Sequence, residues 1–114
     1  MMKRNMDLIR SLLLELEGEP VDLSEYSDEQ LIYHKAMLKD AGLAHGGVAL
    51  DGSGRPCAAE LTHLSWQGHE FISASRNNTV WNKAMTTTRE KGVSVTFTVL
   101  QSLLESIIKS SLGI

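Results

Sequence analysis

The sequence predicts an α+β fold, mainly α with one small β-hairpin, in a single domain over residues 1–114. Three observations predict it. Leu31, His34, Met37, Leu38 and Ala41 recur at helical spacing and stop at Gly42. Val48-Ala49-Leu50 and the run from Arg55 to Leu64 flank Asp51-Gly52-Ser53-Gly54, and Asp-Gly between apolar segments is a hairpin signal. Leu64-Ser65-Trp66-Gln67-Gly68-His69-Glu70-Phe71 then opens a further helix. Helix, hairpin, helix is the layout of a winged-helix-like domain, here with an additional C-terminal helix. Residues 1–75 make the expected helix-helix-wing-helix core, and residues 76–114 a C-terminal helical extension.

The first helix is expected from about Met6 to Glu17, with Asn5 as its cap and Asp7 in the first turn, where a negative charge suits the dipole. Met6, Ile9, Leu13 and Leu16 supply its apolar stripe, and Gly18-Glu19-Pro20 ends it. A short acidic linker leads to Tyr26. Ser27 and Gln30 form a capping box for the second helix. Gly42 is expected at the left-handed C′ position, with Leu43 folding back on the last turn. In the wing, Pro56 implies an edge or a bulge, because proline cannot donate to the ladder. Ser65 caps the third helix. A fourth is expected from Thr79 to Lys91, fraying at Thr86-Thr87-Thr88 and stopped by Gly92. Ser94 or Thr96 caps the last, which carries Phe97, Leu100, Leu103, Leu104, Ile107, Ile108 and Leu112, with Glu105 and Lys109 as an i,i+4 pair.

The whole chain bounds the function. At 42% hydrophobic and 22% charged it has a globular composition, not a disordered one. The single cysteine, Cys57, excludes an internal disulfide and any Cys-x-x-Cys site. Met1-Met2-Lys3-Arg4-Asn5 is basic, but no signal-type apolar run follows, and no stretch reaches the roughly 20 apolar residues of a membrane span. A cytoplasmic protein without membrane association is expected. The net charge of −3 counts against a strong non-specific nucleic-acid binder, whose affinity rests on phosphate contacts. A local basic face is compatible with it.

Several segments together resemble a known family. Met2-Lys3-Arg4-Asn5-Met6-Asp7-Leu8-Ile9-Arg10, Tyr33-His34 with Leu38 and Ala41-Gly42-Leu43, the block Leu64-Ser65-Trp66-Gln67-Gly68-His69-Glu70-Phe71 and Trp81-Asn82-Lys83 resemble the Domain of Unknown Function 2513 family of bacterial and phage proteins. The final apolar helix fits it as well. The resemblance implies a phage or prophage setting and a winged-helix-like fold. It implies no activity and no functional residues. One departure from winged-helix regulators matters. They place a short helix before the recognition helix, and here only Gly18 to Tyr26, with Pro20 among them, are available.

The chemistry-bearing residues read mostly as structure. His34 sits on an apolar helix face and is expected to be a core histidine with satisfied nitrogens. His45, His63 and His69 could converge, but zinc needs three or four ligands and no His-x-x-x-His spacing exists, so no metal site and no cofactor are expected. Cys57 is expected to be a small buried hydrophobe. Gly52-x-Gly54 reads as a turn, and Trp66, Phe71 and Trp81 as core. No catalytic set emerges, so a non-enzymatic binding protein is expected.

Two binding readings stand. In the first the chain is a DNA-binding transcriptional regulator, with Ile32, Lys35 and Lys39 on the recognition helix and Arg55 on the wing facing double-stranded DNA. It would form a homodimer through Leu100, Leu104 and Ile108. In the second, the degenerate winged helix does not bind DNA and engages or inhibits a host protein. The missing helix, the acidic linker and the net charge of −3 favour the second, while the usual role of the winged-helix layout keeps DNA binding slightly ahead.

Overall fold

Asn5 opens the first helix by accepting the Leu8 N–H on its side chain at 3.1 Å, as an N-cap does. Helix α1 then runs Met6–Leu16. It is followed by α2 (Asp28–Asp40), β1 (Ala44–Leu50), β2 (Pro56–Leu64), α3 (Trp66–Ser75), α4 (Asn78–Lys91) and α5 (Phe97–Leu112). This computed structural model describes residues 3–91 and 96–113. The chain forms two compact units, Met1–His69 and Glu70–Ile114, and the division falls inside α3. The architecture is α+β, with a two-stranded antiparallel sheet as its β component.

In the first unit, Leu8, Ile9, Leu12 and Leu13 of α1 are buried, as are Leu38 of α2 and Leu43, Ala44 and Leu64 around the hairpin. Both long helices end as their sequences predict. The Gly42 N–H donates to the Lys39 carbonyl and the Leu43 N–H to the Leu38 carbonyl, at 3.1 and 2.9 Å. With Gly42 at φ +78°, this is a complete Schellman motif. Gly18, at φ +89°, closes α1 in the same way through Glu15 and Leu14. No helix forms between Gly18 and Tyr26, so the expected gap in the winged-helix pattern is present. Asp22 instead ties that segment locally, accepting from the Ser24 N–H and hydroxyl.

The hairpin starts four residues earlier than expected, at Ala44 rather than Val48. Its two glycines hide the strand from a propensity reading. Gly46 is required there, because a Cβ would collide with the Glu60 backbone. Two bulges interrupt the ladder, between His45 and Gly46 and between Ala49 and Leu50. The second lies opposite Pro56, as its missing N–H predicts, and leaves Cys57 without a strand partner. Cys57 is therefore exposed, not the expected buried hydrophobe. The tip is an Asx-type turn in which the Asp51 carboxylate accepts from the Ser53 N–H and hydroxyl and the Arg55 N–H. Those donors hold its carboxyl below the ordinary aspartate range, the Arg55 N–H contributing most.

The second unit is built on aromatic packing. Phe71 lies 6.0 Å from Trp81 and 4.8 Å from Phe97, centroid to centroid, with tilted rings. Ile72, Ala84, Leu100 and Leu104 are buried with them. Helix α4 continues through Thr86–Thr88 instead of fraying there, and two of the hydroxyls bond back to the helix carbonyls, Thr87 to Lys83 and Thr88 to Met85, each at 2.8 Å. Asn77 caps α4 and Thr96 caps α5. The expected stop at Gly92 and the alternative cap Ser94 lie outside the described residues. Glu105 accepts from Gln101 at 3.1 Å instead of pairing with Lys109. No helix among the described residues is long and apolar enough to cross a membrane.

Candidate functional site: the cleft between the second helix and the hairpin

Helix α2 shows three faces. His34 and Leu38 point into the core. Ile32, Lys35 and Lys39 share a second face at 100° per residue. Tyr33, Ala36, Met37 and Asp40 share a third, and this one meets the hairpin. Together with Lys39, Val48, Leu50 and Pro56 they line a cleft of about 310 Å³. Its walls are mostly apolar, and its charged groups are Lys39 and Asp40. Leu50 at its mouth is 61% exposed, high for a large apolar side chain at a strand end. A smaller cleft of about 200 Å³ lies between α1 and the end of α2, and Met37 lines both. Methionine is unbranched and polarisable, so it adapts to differently shaped partners.

Of the residues expected to face DNA, Ile32, Lys35 and Lys39 share one face of α2, and Arg55 follows the hairpin tip. Lys39 lines the cleft, but Ile32, Lys35 and Arg55 do not. Ile32 and Lys35 are half-buried, while Lys39 and Arg55 are exposed. None of the three cations forms an ion pair among the described residues. The unit that carries them is acidic by composition. The unit Met1–His69 carries six Lys and Arg against eleven Asp and Glu, whereas Glu70–Ile114 carries five against three.

The residues expected to join a partner through α5 are also redistributed. Leu100 and Leu104 are fully buried within the chain, so they cannot form an outward row. Ile108 is half-buried. Val99 and Leu112 are the exposed large apolar residues of this helix. The reason is geometric. Phe97, Leu100 and Leu104 lie within one 60° sector, and that sector meets the aromatic core.

The block around Ser65 is a structural joint. The Ser65 N–H donates to the Leu43 carbonyl at 3.0 Å, and its hydroxyl donates to the Gly42 carbonyl at 2.5 Å while accepting the Gly68 N–H at 3.1 Å. Gly68 permits this approach, since a Cβ there would collide with the Leu43 carbonyl. Trp66 lies about half a turn from Gly68, so it points away from the joint and is 75% exposed. It was expected in the core, where Phe71 and Trp81 do lie.

His34 is a core histidine with both nitrogens engaged. Its Nδ1–H donates to the Gln30 carbonyl at 2.8 Å, and Nε2 accepts the Asn5 N–H at 2.9 Å. The network assigns the neutral Nδ1–H tautomer, which ties the start of α1 to α2. Burial pushes its pKa below the ordinary histidine value, opposed by the bond to Gln30. Of the other three histidines, His45 and His63 meet across the hairpin, while His69 Nδ1 lies 2.9 Å from Glu17 instead. Sequence reasoning missed the cleft residues Tyr33, Met37, Leu50 and Pro56 as a set. A leucine directly before the Asp51-Gly52 turn was the one available signal.

The profile of the family described as Hypothetical protein (DUF2513) matches residues 3–94. An uncharacterised protein of Haemophilus influenzae (strain ATCC 51907 / DSM 11121 / KW20 / Rd) is 35% identical over 98% of this chain and 100% of its own length. No solved structure matches the chain.

Proposed function

The chain belongs to the DUF2513 family of hypothetical proteins, and we propose that it is a small non-enzymatic binding protein that engages another protein through the cleft between α2 and the hairpin. The observation that carries this reading is the cleft itself. An apolar slot of about 310 Å³ with an exposed leucine at its mouth suits an apolar anchor residue. The excess of carboxylates on the same unit suits lysines and arginines beside that anchor. The fitting partner is thus a protein segment with a large apolar side chain in a basic context. The phage or prophage setting implied by the resemblance would make it a host protein. The non-enzymatic part is supported by His34, whose nitrogens are both committed to backbone groups.

Selection of displayed peptides on the immobilised protein, followed by titration of the enriched sequences, tests this. Leucine or aromatic anchors beside basic residues are expected. Leu50→Asp should weaken their binding at least tenfold with an unchanged circular dichroism spectrum. If no peptide is enriched, or Leu50→Asp leaves the titrations unchanged, the reading fails.

DNA binding is the second reading. Lys35, Lys39 and Arg55, without carboxylate partners among the described residues, favour it. A random-duplex selection at low salt separates the two. A preferred duplex whose binding weakens with salt and with Lys39→Glu would put DNA first. Burial of Leu100 and Leu104 removes the row on which a homodimer through α5 was expected to rest.

A further inference from the structure

We propose that His45 and His63 form a two-imidazole site for a divalent transition-metal ion, zinc or copper, on the hairpin. The residues are distant in sequence, and the antiparallel register sets them directly opposite. Their rings stack with centroids 4.6 Å apart and planes 27° from parallel, and both residues are exposed. The bulge beside His45 leaves Thr62 unmatched in the ladder. Its hydroxyl donates to the His45 carbonyl at 3.1 Å. That uses its one proton, so in the 2.9 Å contact with His63 the ring Nδ1–H is the donor. His63 is thereby held in the tautomer whose Nε2 carries a free lone pair. An oxygen fixing the far nitrogen is the usual support of a metal-binding histidine.

The His45 ring has no hydrogen bond among the described residues, so it can turn to offer a nitrogen. Zinc binds imidazole nitrogen at about 2.0–2.1 Å, which places two donors of one ion within about 4 Å of each other. Reaching that spacing from stacked rings requires the exposed His45 side chain to rotate. No group of three or more His, Cys, Asp or Glu able to hold a metal gathers among the described residues, so water fills the remaining coordination positions. Neutral imidazoles select zinc, copper or nickel over magnesium or calcium, and copper binds more tightly than zinc. The ion would clip β1 to β2 across the bulge and stabilise the folded chain by mass action.

Titration calorimetry of the full chain with zinc chloride, in a buffer that does not chelate, tests the proposal. One ion per chain is expected, with a melting temperature that rises with zinc. His45→Gln and His63→Gln should each weaken binding at least tenfold, and His69→Gln should leave it unchanged. Both targets are exposed, and circular dichroism checks that the variants fold. The electron paramagnetic resonance spectrum of the unmutated chain with one equivalent of copper(II) should show two nitrogen donors, a readout that needs no variant. Absence of a zinc isotherm, loss of binding in His69→Gln equal to that in the other two, or a copper spectrum with one nitrogen would overturn it.

Discussion

Gly68→Ala isolates the joint between α3 and the turn after α2. The new Cβ would collide with the Leu43 carbonyl oxygen, and it would lie 3.2 Å from the Leu43 carbonyl carbon and 3.3 Å from Leu64 Cδ2. A backbone carbonyl cannot rotate away as a side chain can. Overpacking of this kind costs about 1–3 kcal/mol. Moving the start of α3 outward relieves only part of it and stretches the two bonds that Ser65 gives to Gly42 and Leu43, each worth about 0.5–1.5 kcal/mol. Alanine regains about 1 kcal/mol of helix propensity over glycine. The balance is a loss of about 1–5 kcal/mol, which at about 4 °C per kcal/mol lowers the melting temperature by roughly 4–20 °C. Gly47→Ala is the control, because nothing lies within 4 Å of its Cβ. Calorimetric melts of both variants decide the matter. A Gly68→Ala chain that melts within about 2 °C of the parent, or a Gly47→Ala chain that loses as much, would refute the backbone collision.

The two tryptophans and His34 give further checks. Trp81→Ala should cost about 3–5 kcal/mol in urea unfolding, and Trp66→Ala no more than about 0.5 kcal/mol, because one ring is buried and the other exposed. Comparable losses would contradict the placement of Trp66. His34 is neutral in the folded chain, with its pKa lowered by burial, so the unfolded chain takes up the proton first as pH falls. Its stabilising contribution is complete above the unfolded value of about 6.5 and is lost as pH falls from there toward the lower folded value. Urea midpoints at stepped pH should decline across that window, and the decline should flatten in His34→Gln. A wild-type midpoint that is constant there would exclude the neutral bridge between Asn5 and Gln30.

The local elements were legible in the residues. Asn5, Ser27 and Ser65 announce helix starts and Gly18 and Gly42 announce ends, because capping depends on residues only a few positions apart. Pro56 announced a bulge for the same reason: a missing N–H acts where it stands. The core role of His34 followed from helical spacing, though its partner Asn5 did not. What the sequence could not determine are the quantities fixed by how elements meet. Ile32, Lys35 and Lys39 were readable as a helix face, but the hairpin packs beside the neighbouring face and makes the cleft there. Leu100 and Leu104 looked as available as Leu103, and only the position of Phe71 and Phe97 decided which side of α5 is covered. Trp66 was as apolar as Trp81, yet the collision that forces glycine at position 68 turns Trp66 outward. His45 and His63 became neighbours through strand register, and register depends on bulges whose positions only the paired strands reveal. Local backbone chemistry is written in neighbouring residues, whereas burial and convergence depend on contacts between segments far apart in the chain.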